Sequence, residues 1–288
     1  MSAQIIPLVQ GSAEWLAHRR QLRNASETPA VLGASPWQTP YQLWLVKTGR
    51  AEVEATEVMR RGTALEPAAR HAYEIETGNV MQPLVLQEGH YSASLDGMTL
   101  GGDLILEIKA PYKGQASSLW QAVEGGEVPL HYRLQVQHQL MVSGAGMGHL
   151  WVFDGQRGLL REIAPCRADF EAIRAGWEAF APFLATDTPP PLGERDTRER
   201  KDAAWREAAQ AFTQAKVMAD KAAEQAEQAR AALVDLARHP RETGGGVTVT
   251  RYWRAGSVDY KAVPELKGVD LSRYRGKSRE EVRVTAGT

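Results

Sequence analysis

The sequence lacks the features that would tie the chain to a membrane or to a disulfide framework. Its 288 residues include a single cysteine, Cys166, so no internal disulfide can form, and no Cys/His spacing typical of a zinc site occurs. No run approaches the roughly 20 apolar residues of a membrane-spanning helix, and the first residues lack the pattern of a signal peptide. We therefore expect no membrane association and a reducing, cytoplasmic location.

The chain also lacks an excess of charge of either sign. Its 34 Lys and Arg residues against 35 Asp and Glu residues give a formal net charge of −1 at pH 7, so there is no global attraction to nucleic acid. A site for a polyanion would have to be a local patch or the lining of a cavity. The hydrophobic fraction of 43% is ample for a core, and the length fits one large domain or a domain with an extension.

The chain is organised around the stretch from Leu95 to Lys113. Asp96 precedes a glycine turn at Gly101-Gly102, and an apolar run after the turn carries Glu107 and Lys109 on one strand face. A carboxylate and an ammonium in an apolar strand need partners if both are buried, and a hairpin would bring Asp96 beside Glu107. Two carboxylates and a lysine at one strand end suit a hard divalent cation and an oriented water. A hairpin with a surface Glu–Lys pair is the alternative that this stretch leaves open.

A second group of polar residues lies near the N-terminus. Trp15, Arg19 and Arg23 fall at helical spacing, which predicts a short amphipathic helix with a cationic side. Ser26 follows, just before a second predicted helix at about residues 27–32. An arginine, a hydroxyl and a helix N-terminus together are typical of a phosphate pocket. Taken alone, the segment favours an ordinary solvated basic face.

A long helix is predicted from about Thr56 to Thr77, with Gly78 as its stop. Gly62 and Glu66 lie one turn apart on the same face of this helix. A glutamate behind a face cleared by glycine is placed to reach inward. For Glu66 in isolation, a surface salt bridge to Arg70 is the favoured interpretation.

The remaining pattern predicts an α/β core with a mixed sheet. Further helices are predicted at 41–47, 117–123, 130–141 and 169–184, and further strands at 80–86, 89–94, 148–153 and 158–163. The helix at 130–141 should turn Leu130, Leu134 and Met141 inward.

A proline run at 189–191 marks a boundary. We predict a globular domain over 1–188, a Pro-rich linker over 189–195, a long helical segment over 196–240 and a small β-containing tail over 241–288. Strands are predicted in that tail at 247–253, with shorter ones at 257–260 and 282–284. We interpret the tail as a packing or assembly appendage.

Taken together, the segments from Trp15 to Phe183 resemble the phage-type alkaline exonucleases, the lambda-exonuclease or YqaJ-like branch of the PD-(D/E)xK nucleases. Five motifs in the family's order carry the resemblance: Trp15-x3-Arg19 with Ser26, Gly62-x3-Glu66-Pro67, Ser94-Leu95-Asp96-Gly97, Glu107-Ile108-Lys109 and Tyr132-x2-Gln135-Val136-Gln137. The chain departs from the pattern at Leu95, where a proline often precedes the aspartate. The resemblance implies a restriction-endonuclease-like core, a central mixed sheet flanked by helices, in the exonuclease domain over 1–188, followed by a C-terminal helical and small β extension.

The resemblance also implies a metal centre. Asp96 and Glu107 would bind the metal, with the Ile108 carbonyl as a further ligand and Glu66 supporting a second metal or its waters. Lys109 would orient or deprotonate the attacking water. The implied cofactor is Mg2+, for which Mn2+ would substitute.

Asp103 competes with Asp96 for the place of the first carboxylate, because it shares the strand face of Glu107 and Lys109. We favour Asp96, since Asp103 sits where a hairpin turn accommodates Gly-Gly-Asp.

For the remaining motif residues the resemblance implies binding roles. Gln135 would hold Lys109 or the scissile phosphate in place. Arg19, Ser26 and Ser94 would grip a terminal 5′ phosphate, the feature that makes such enzymes exonucleases.

The implied activity is that of a Mg2+-dependent 5′→3′ exonuclease, which degrades one strand of linear double-stranded DNA and leaves 3′ overhangs for phage-type recombination by single-strand annealing. The implied partners are double-stranded DNA ends, a single-strand annealing protein and two further copies of the chain in a ring-shaped homotrimer, in the cytoplasm of a bacterial host. The alternatives are a structure- or sequence-specific endonuclease on the same core, and a catalytically inactive DNA-end-binding protein.

Overall fold

The computed structural model describes residues 3–52, 55–253, 263–266 and 269. The chain divides into two units, Met1–Thr197 and Arg198–Thr288. The first is built on a mixed seven-stranded sheet of order β1-β3-β4-β5-β6-β7, with β2 beside β4. Its strands are β1 Gln4–Ile5, β2 Arg23–Asn24, β3 Gln82–Glu88, β4 Tyr91–Met98, β5 Leu104–Lys109, β6 Met147–Phe153 and β7 Gly158–Ile163. β5 and β6 pair in parallel, as do β2 and β4, and the other pairs are antiparallel.

The helices of the first unit are α1 Ala13–Gln21, α2 Thr28–Val31, α3 Pro40–Lys47, α4 Glu57–Thr77, α5 Ser118–Glu124, α6 Leu130–Ser143 and α7 Arg167–Ala185. The long helix predicted from the sequence is found as α4. Its N-cap, Thr56, accepts a hydrogen bond from Met59 N–H, and Gly78 ends it in the left-handed conformation at φ 75°. A capping box at Thr39 opens α3 in the same way.

Two apolar clusters lie against β5. Ile105 packs in the larger one, with residues of α6 such as Val136 and Leu140. Leu106 and Ile108 pack in the smaller one, with residues of α4. The alternation along β5 therefore sends Glu107 and Lys109 toward the side of Ile105, as the sequence pattern predicts.

One predicted orientation is wrong. Leu134 and Met141 are buried, but Leu130 is 54% exposed. Leu130 is the first residue of α6, directly after the N-cap Pro129, and the helical pattern does not fix burial at a helix end.

In the second unit, α8 spans Ala203–Leu236 and a hairpin joins β8 Arg241–Gly244 to β9 Val247–Thr250. The predicted strand at 247–253 is therefore shorter, and β8 was not predicted. The strands predicted at 257–260 and 282–284 lie outside the described residues. Within the described ranges, no helix has both the length and the apolar character needed to cross a bilayer.

Candidate active site

Asp96 and Glu107 lie side by side on neighbouring strands. β4 and β5 are antiparallel with Gly97 opposite Leu106, and this register sets Asp96 beside Glu107. The Asp96 carboxylate accepts a hydrogen bond of 2.7 Å from the backbone N–H of Ile108, which fixes its orientation. The hairpin predicted from the sequence thus brings the two carboxylates together.

A bulge in β4 shapes the backbone around Asp96. Gln82 of β3 pairs with Met98, and Leu84 pairs with Leu95, so three steps along β4 match two along β3. The extra residue of a bulge bends the strand and re-aims a side chain. Asp96 lies inside this irregular stretch, a position that strand alternation alone does not predict.

The same stretch of β4 is held by contacts from α4 and from Met81, which directly precedes β3. Arg70, considered above as a partner for Glu66, donates from Nε to the Asp96 carbonyl oxygen at 2.7 Å. Gly97 leaves no room for a side chain, because a Cβ there would lie 2.6 Å from Met81 Cβ. The backbone that presents Asp96 is therefore fixed by packing as well as by strand pairing.

Glu107 is a buried carboxylate surrounded by donors. It is 3% exposed. Gln135 Nε2 donates to its Oε1 at 2.7 Å and Gln139 Nε2 donates to its Oε2 at 2.5 Å. The Lys109 ammonium also donates to Oε1. These bonds offset the cost of burying the charge and hold the carboxylate in one orientation.

The charged groups of the cluster shift one another's pKa values. Burial raises the pKa of Asp96 well above its usual range, the neighbouring Glu107 charge adds to this, and Lys109 opposes it. Burial disfavours the charged form of Lys109, but the carboxylates of Glu107 and Asp96 outweigh that cost and raise the pKa of Lys109. Burial also raises the pKa of Glu66, with Lys109 acting in the opposite direction. Three acids thus lie within electrostatic reach of one lysine, so a bound cation would be favoured.

The ligand atoms present are compatible with a Mg2+ ion that is held by few protein ligands. Among the residues that the structure describes, no three His, Cys, Asp or Glu side chains form a metal-holding group by themselves. Mg2+ commonly binds through one or two carboxylates and keeps several waters. Asp96 and Glu107 with the Ile108 carbonyl suit that mode, and the excess of carboxylates over the single Lys109 ammonium in the cluster is the observation that favours a bound cation.

The residues of the predicted phosphate site lie together around Trp15 of α1. Its Nε1 donates to Ser94 Oγ at 2.9 Å, and the Arg19 guanidinium lies over its ring, 4.6 Å from the centroid. Arg19 Nη2 donates to Ser26 Oγ at 2.9 Å. Ser26 lies in a single 3-10 turn, Ala25–Glu27, that precedes α2.

A buried network beneath Arg19 was not predicted from the sequence. Glu27 accepts from Arg19 at 3.4 Å and from Asn24 Nδ2 at 2.8 Å. Lys47, whose side chain is 3% exposed, lies 2.6 Å from Glu27 and donates to the Arg19 carbonyl at 2.7 Å. Burial lowers the pKa of Lys47, with Glu27 opposing this effect. The network fixes both the backbone and the guanidinium of Arg19.

Gln139 connects the two groups of predicted site residues, and sequence reasoning missed it. Its side chain is fully buried. Nε2 contacts the Glu107 carboxylate and also donates to the Ser94 carbonyl at 3.2 Å. Gln135 and Gln139 are four residues apart on α6, so they share a helix face, and this spacing was the signal available in the sequence.

Two other polar residues of the sequence analysis lie elsewhere. Gln137 donates to the Ala164 carbonyl at 2.7 Å and accepts from Cys166 N–H at 2.9 Å, so it anchors the chain between β7 and α7. Asp103 lies exposed in the turn before β5, at the opposite end of that strand from Lys109. The hydroxyl of Thr99, 2.5 Å away, is the main cause of its lowered pKa.

Comparison with known proteins agrees with the predicted fold and resemblance. Residues 14–146 match the YqaJ-like viral recombinase domain. Over 138 residues the chain is 34% identical to the uncharacterised protein YqaJ of Bacillus subtilis strain 168, and this match spans 46% of the chain but only 42% of that protein. The crystal structure of the alkaline exonuclease LHK-Exo from Laribacter hongkongensis superposes with a TM-score of 0.53 at 24% identity, over 62% of this chain and 94% of that one. The complex of LHK-Exo with dAMP gives a TM-score of 0.54 at the same coverage. The predicted mixed α/β fold and the predicted family resemblance are thus confirmed.

Proposed function

We propose that this chain, whose residues 14–146 carry a YqaJ-like viral recombinase domain, is a Mg2+-dependent 5′→3′ exonuclease. It would degrade one strand of linear double-stranded DNA and leave 3′ overhangs for recombination. The observation that carries the proposal is the direct link between two groups of residues. One is the carboxylate–lysine cluster, made of Glu66, Asp96, Glu107 and Lys109, and the other is the arginine–serine group, made of Arg19, Ser26 and Ser94. The buried Gln139 amide joins them, because it donates both to Glu107 and to the Ser94 carbonyl.

In the carboxylate–lysine cluster, Asp96, Glu107 and the Ile108 carbonyl would hold Mg2+. Bound there, Mg2+ would polarise a water and offset the charge that grows on the scissile phosphate. Gln135 keeps Glu107 oriented through its 2.7 Å hydrogen bond. Glu66 borders the same cluster and would order a further metal or its waters.

Lys109 would orient the attacking water and hold or accept its proton. Its pairing with Glu107 places the ammonium on the face of β5 that carries the carboxylates. A cation on those carboxylates would weaken the hold that keeps Lys109 protonated. A lysine in this position would therefore orient the water and exchange its proton more readily once a cation is bound.

The arginine–serine group would bind the 5′ end. Arg19 offers a guanidinium for a bidentate contact, and the hydroxyls of Ser26 and Ser94 add donors. A terminal phosphomonoester carries more charge than an internal diester, so these three residues would favour a DNA end. Gln139, which contacts both Ser94 and Glu107, would then fix the separation between the bound 5′ end and the scissile phosphate.

The substrate class and the assembly belong to the same proposal. LHK-Exo, which shares the fold, has been crystallised with dAMP, and this supports a DNA substrate here. A ring-shaped homotrimer with a central channel would let a chain of net charge −1 hold a polyanion along a local lining. A single-strand annealing protein would take up the 3′ overhang.

A strand-polarity assay tests the proposal. Linear duplex, 5′-phosphorylated at both ends and labelled on one strand near either its 5′ or its 3′ terminus, is incubated with Mg2+, Mn2+ or EDTA. Early loss of the 5′-proximal label as mononucleotide, only with a divalent cation, is expected. Early loss of the 3′-proximal label, or equal digestion in EDTA, would contradict the proposed polarity or the metal requirement.

A further inference from the structure

Three aromatic rings form a cluster beside the carboxylate–lysine cluster. Trp37 meets His131 edge-on, with ring centroids 4.8 Å apart and planes at 86°. His131 and Tyr132 have centroids 4.2 Å apart, and Trp37 and Tyr132 have centroids 5.8 Å apart. We name Trp37, His131 and Tyr132 the aromatic platform.

The outer ring of this platform is exposed although its backbone is fixed. Trp37 is 67% exposed. Ser35 Oγ accepts hydrogen bonds from the backbone N–H groups of Trp37 and Gln38, at 3.2 and 3.1 Å. Arg195 donates to the carbonyls of Ser35 and Pro36 at 2.8 and 2.7 Å. A large apolar ring held in water by an ordered turn presents a preorganised contact surface.

The inner ring of the platform reaches the reactive group. Lys109 Nζ lies 5.5 Å from the Tyr132 ring centroid. The platform therefore runs outward from Lys109, through Tyr132 and His131, to the exposed indole of Trp37. A molecule stacked on Trp37 would lie beside the approach to the proposed cleavage site.

We propose that the aromatic platform binds unpaired nucleobases of a DNA strand, with Trp37 as the stacking residue. This inference rests on the proposed function. Base stacking on aromatic rings is tolerant of sequence, since every base has a π-face, and it suits an enzyme that processes any DNA end. A protein partner seated on Trp37 would cover the approach to Lys109, which the DNA strand has to use. The platform thus adds a base-binding subsite to the residues that bind phosphate.

The test measures whether the aromatic platform binds nucleobases, and it does so without cleavage of the DNA. A fluorescein-labelled single-stranded oligothymidylate and an abasic strand of the same length are titrated with the full chain in EDTA, and anisotropy gives both affinities. The two strands carry equal phosphate charge, so their ratio isolates the base contribution. The wild type should bind the thymine strand roughly 5- to 100-fold more tightly than the abasic strand. Trp37→Ala should lose most of that ratio, and Trp37→Phe should keep much of it.

Trp253→Ala is the matched control, because it removes a fully exposed tryptophan that lies in the second unit. It should keep the wild-type ratio. Two results would overturn the proposed base binding: a wild type without preference for the thymine strand, or a Trp37→Ala variant that retains the preference. Either result would favour a protein-docking role for the aromatic platform. Digestion of linear duplex with Mg2+ is run alongside: wild-type digestion without base preference rejects the platform alone, whereas no digestion rejects the proposed function.

Discussion

Replacing Arg19 with alanine removes the guanidinium that we assign to the 5′ phosphate. The side chain is 19% exposed, it lies over the Trp15 ring and it donates to Ser26, so it is presented in one orientation. A hydrogen bond to a charged group contributes about 1.5–3 kcal/mol, and this corresponds to a loss of roughly 10- to 150-fold. The loss should fall on 5′-phosphorylated ends and be much smaller on 5′-hydroxyl ends, where the site has less charge to hold.

Initial digestion rates on two linear duplexes that differ only in the 5′ phosphate measure this effect. Arg20→Ala is the matched control, since Arg20 carries the same charge one position along α1 and is exposed. It should reduce both rates alike and only slightly. An equal loss for Arg19→Ala on both substrates, or an equal phosphate-specific loss for Arg20→Ala, would refute the assignment.

Three further predictions concern residues of the core. Lys109→Arg should lower the cleavage rate by orders of magnitude while DNA affinity in EDTA stays near wild type, because a guanidinium does not exchange protons; a fast variant would leave Lys109 only an electrostatic role. Gln139→Leu should lower kcat on linear duplex by about 10- to 100-fold, because the buried Glu107 loses a charge-assisted donor. The control Gln137→Leu, two residues away on α6, should instead lower stability and leave the rate per folded molecule unchanged. The reverse pattern would contradict the link that Gln139 makes. Burial, with Arg174 nearby, lowers the pKa of His138 from 6.5 to about 3. Below about pH 6.5 the unfolded chain therefore takes up a proton that the folded chain excludes. Unfolding by urea should consequently show about 2 kcal/mol less stability at pH 5 than at pH 7.5 from this group. His138→Gln should flatten that slope, and an unchanged slope would contradict the assignment.

The strand that carries Glu107 and Lys109 could be predicted from the sequence, because alternation fixes which side chains share a face. The position of Asp96 could be predicted only as far as the hairpin, since the bulge between β3 and β4 depends on how two strands pair over several residues. Helix α4 was predictable from end to end, because Thr56 and Gly78 are strong local signals.

The remaining site residues are placed by tertiary contacts, and among them only Gln139 left a local signal, its four-residue spacing from Gln135 on α6. Gln139 acts through one amide placed between α6, β4 and β5, and its side chain resembles that of Gln137, which faces another way. Trp37 follows a proline turn, and its closeness to Tyr132 results from the packing of that turn against α6. Lys47 supports Arg19 across 28 residues of sequence, a separation at which spacing arguments have no content.

The proposed end-dependent, Mg2+-dependent activity is tested most directly on linear and covalently closed circular duplex of one sequence. Both forms are incubated with the full chain in Mg2+ and in EDTA, and release of acid-soluble nucleotide and nicking of the circle are followed. The proposal predicts degradation of the linear form in Mg2+, an intact circle and no cleavage of either form in EDTA. Nicking or linearisation of closed circles at a rate comparable with digestion of the linear form would contradict it and favour an endonuclease on the same core.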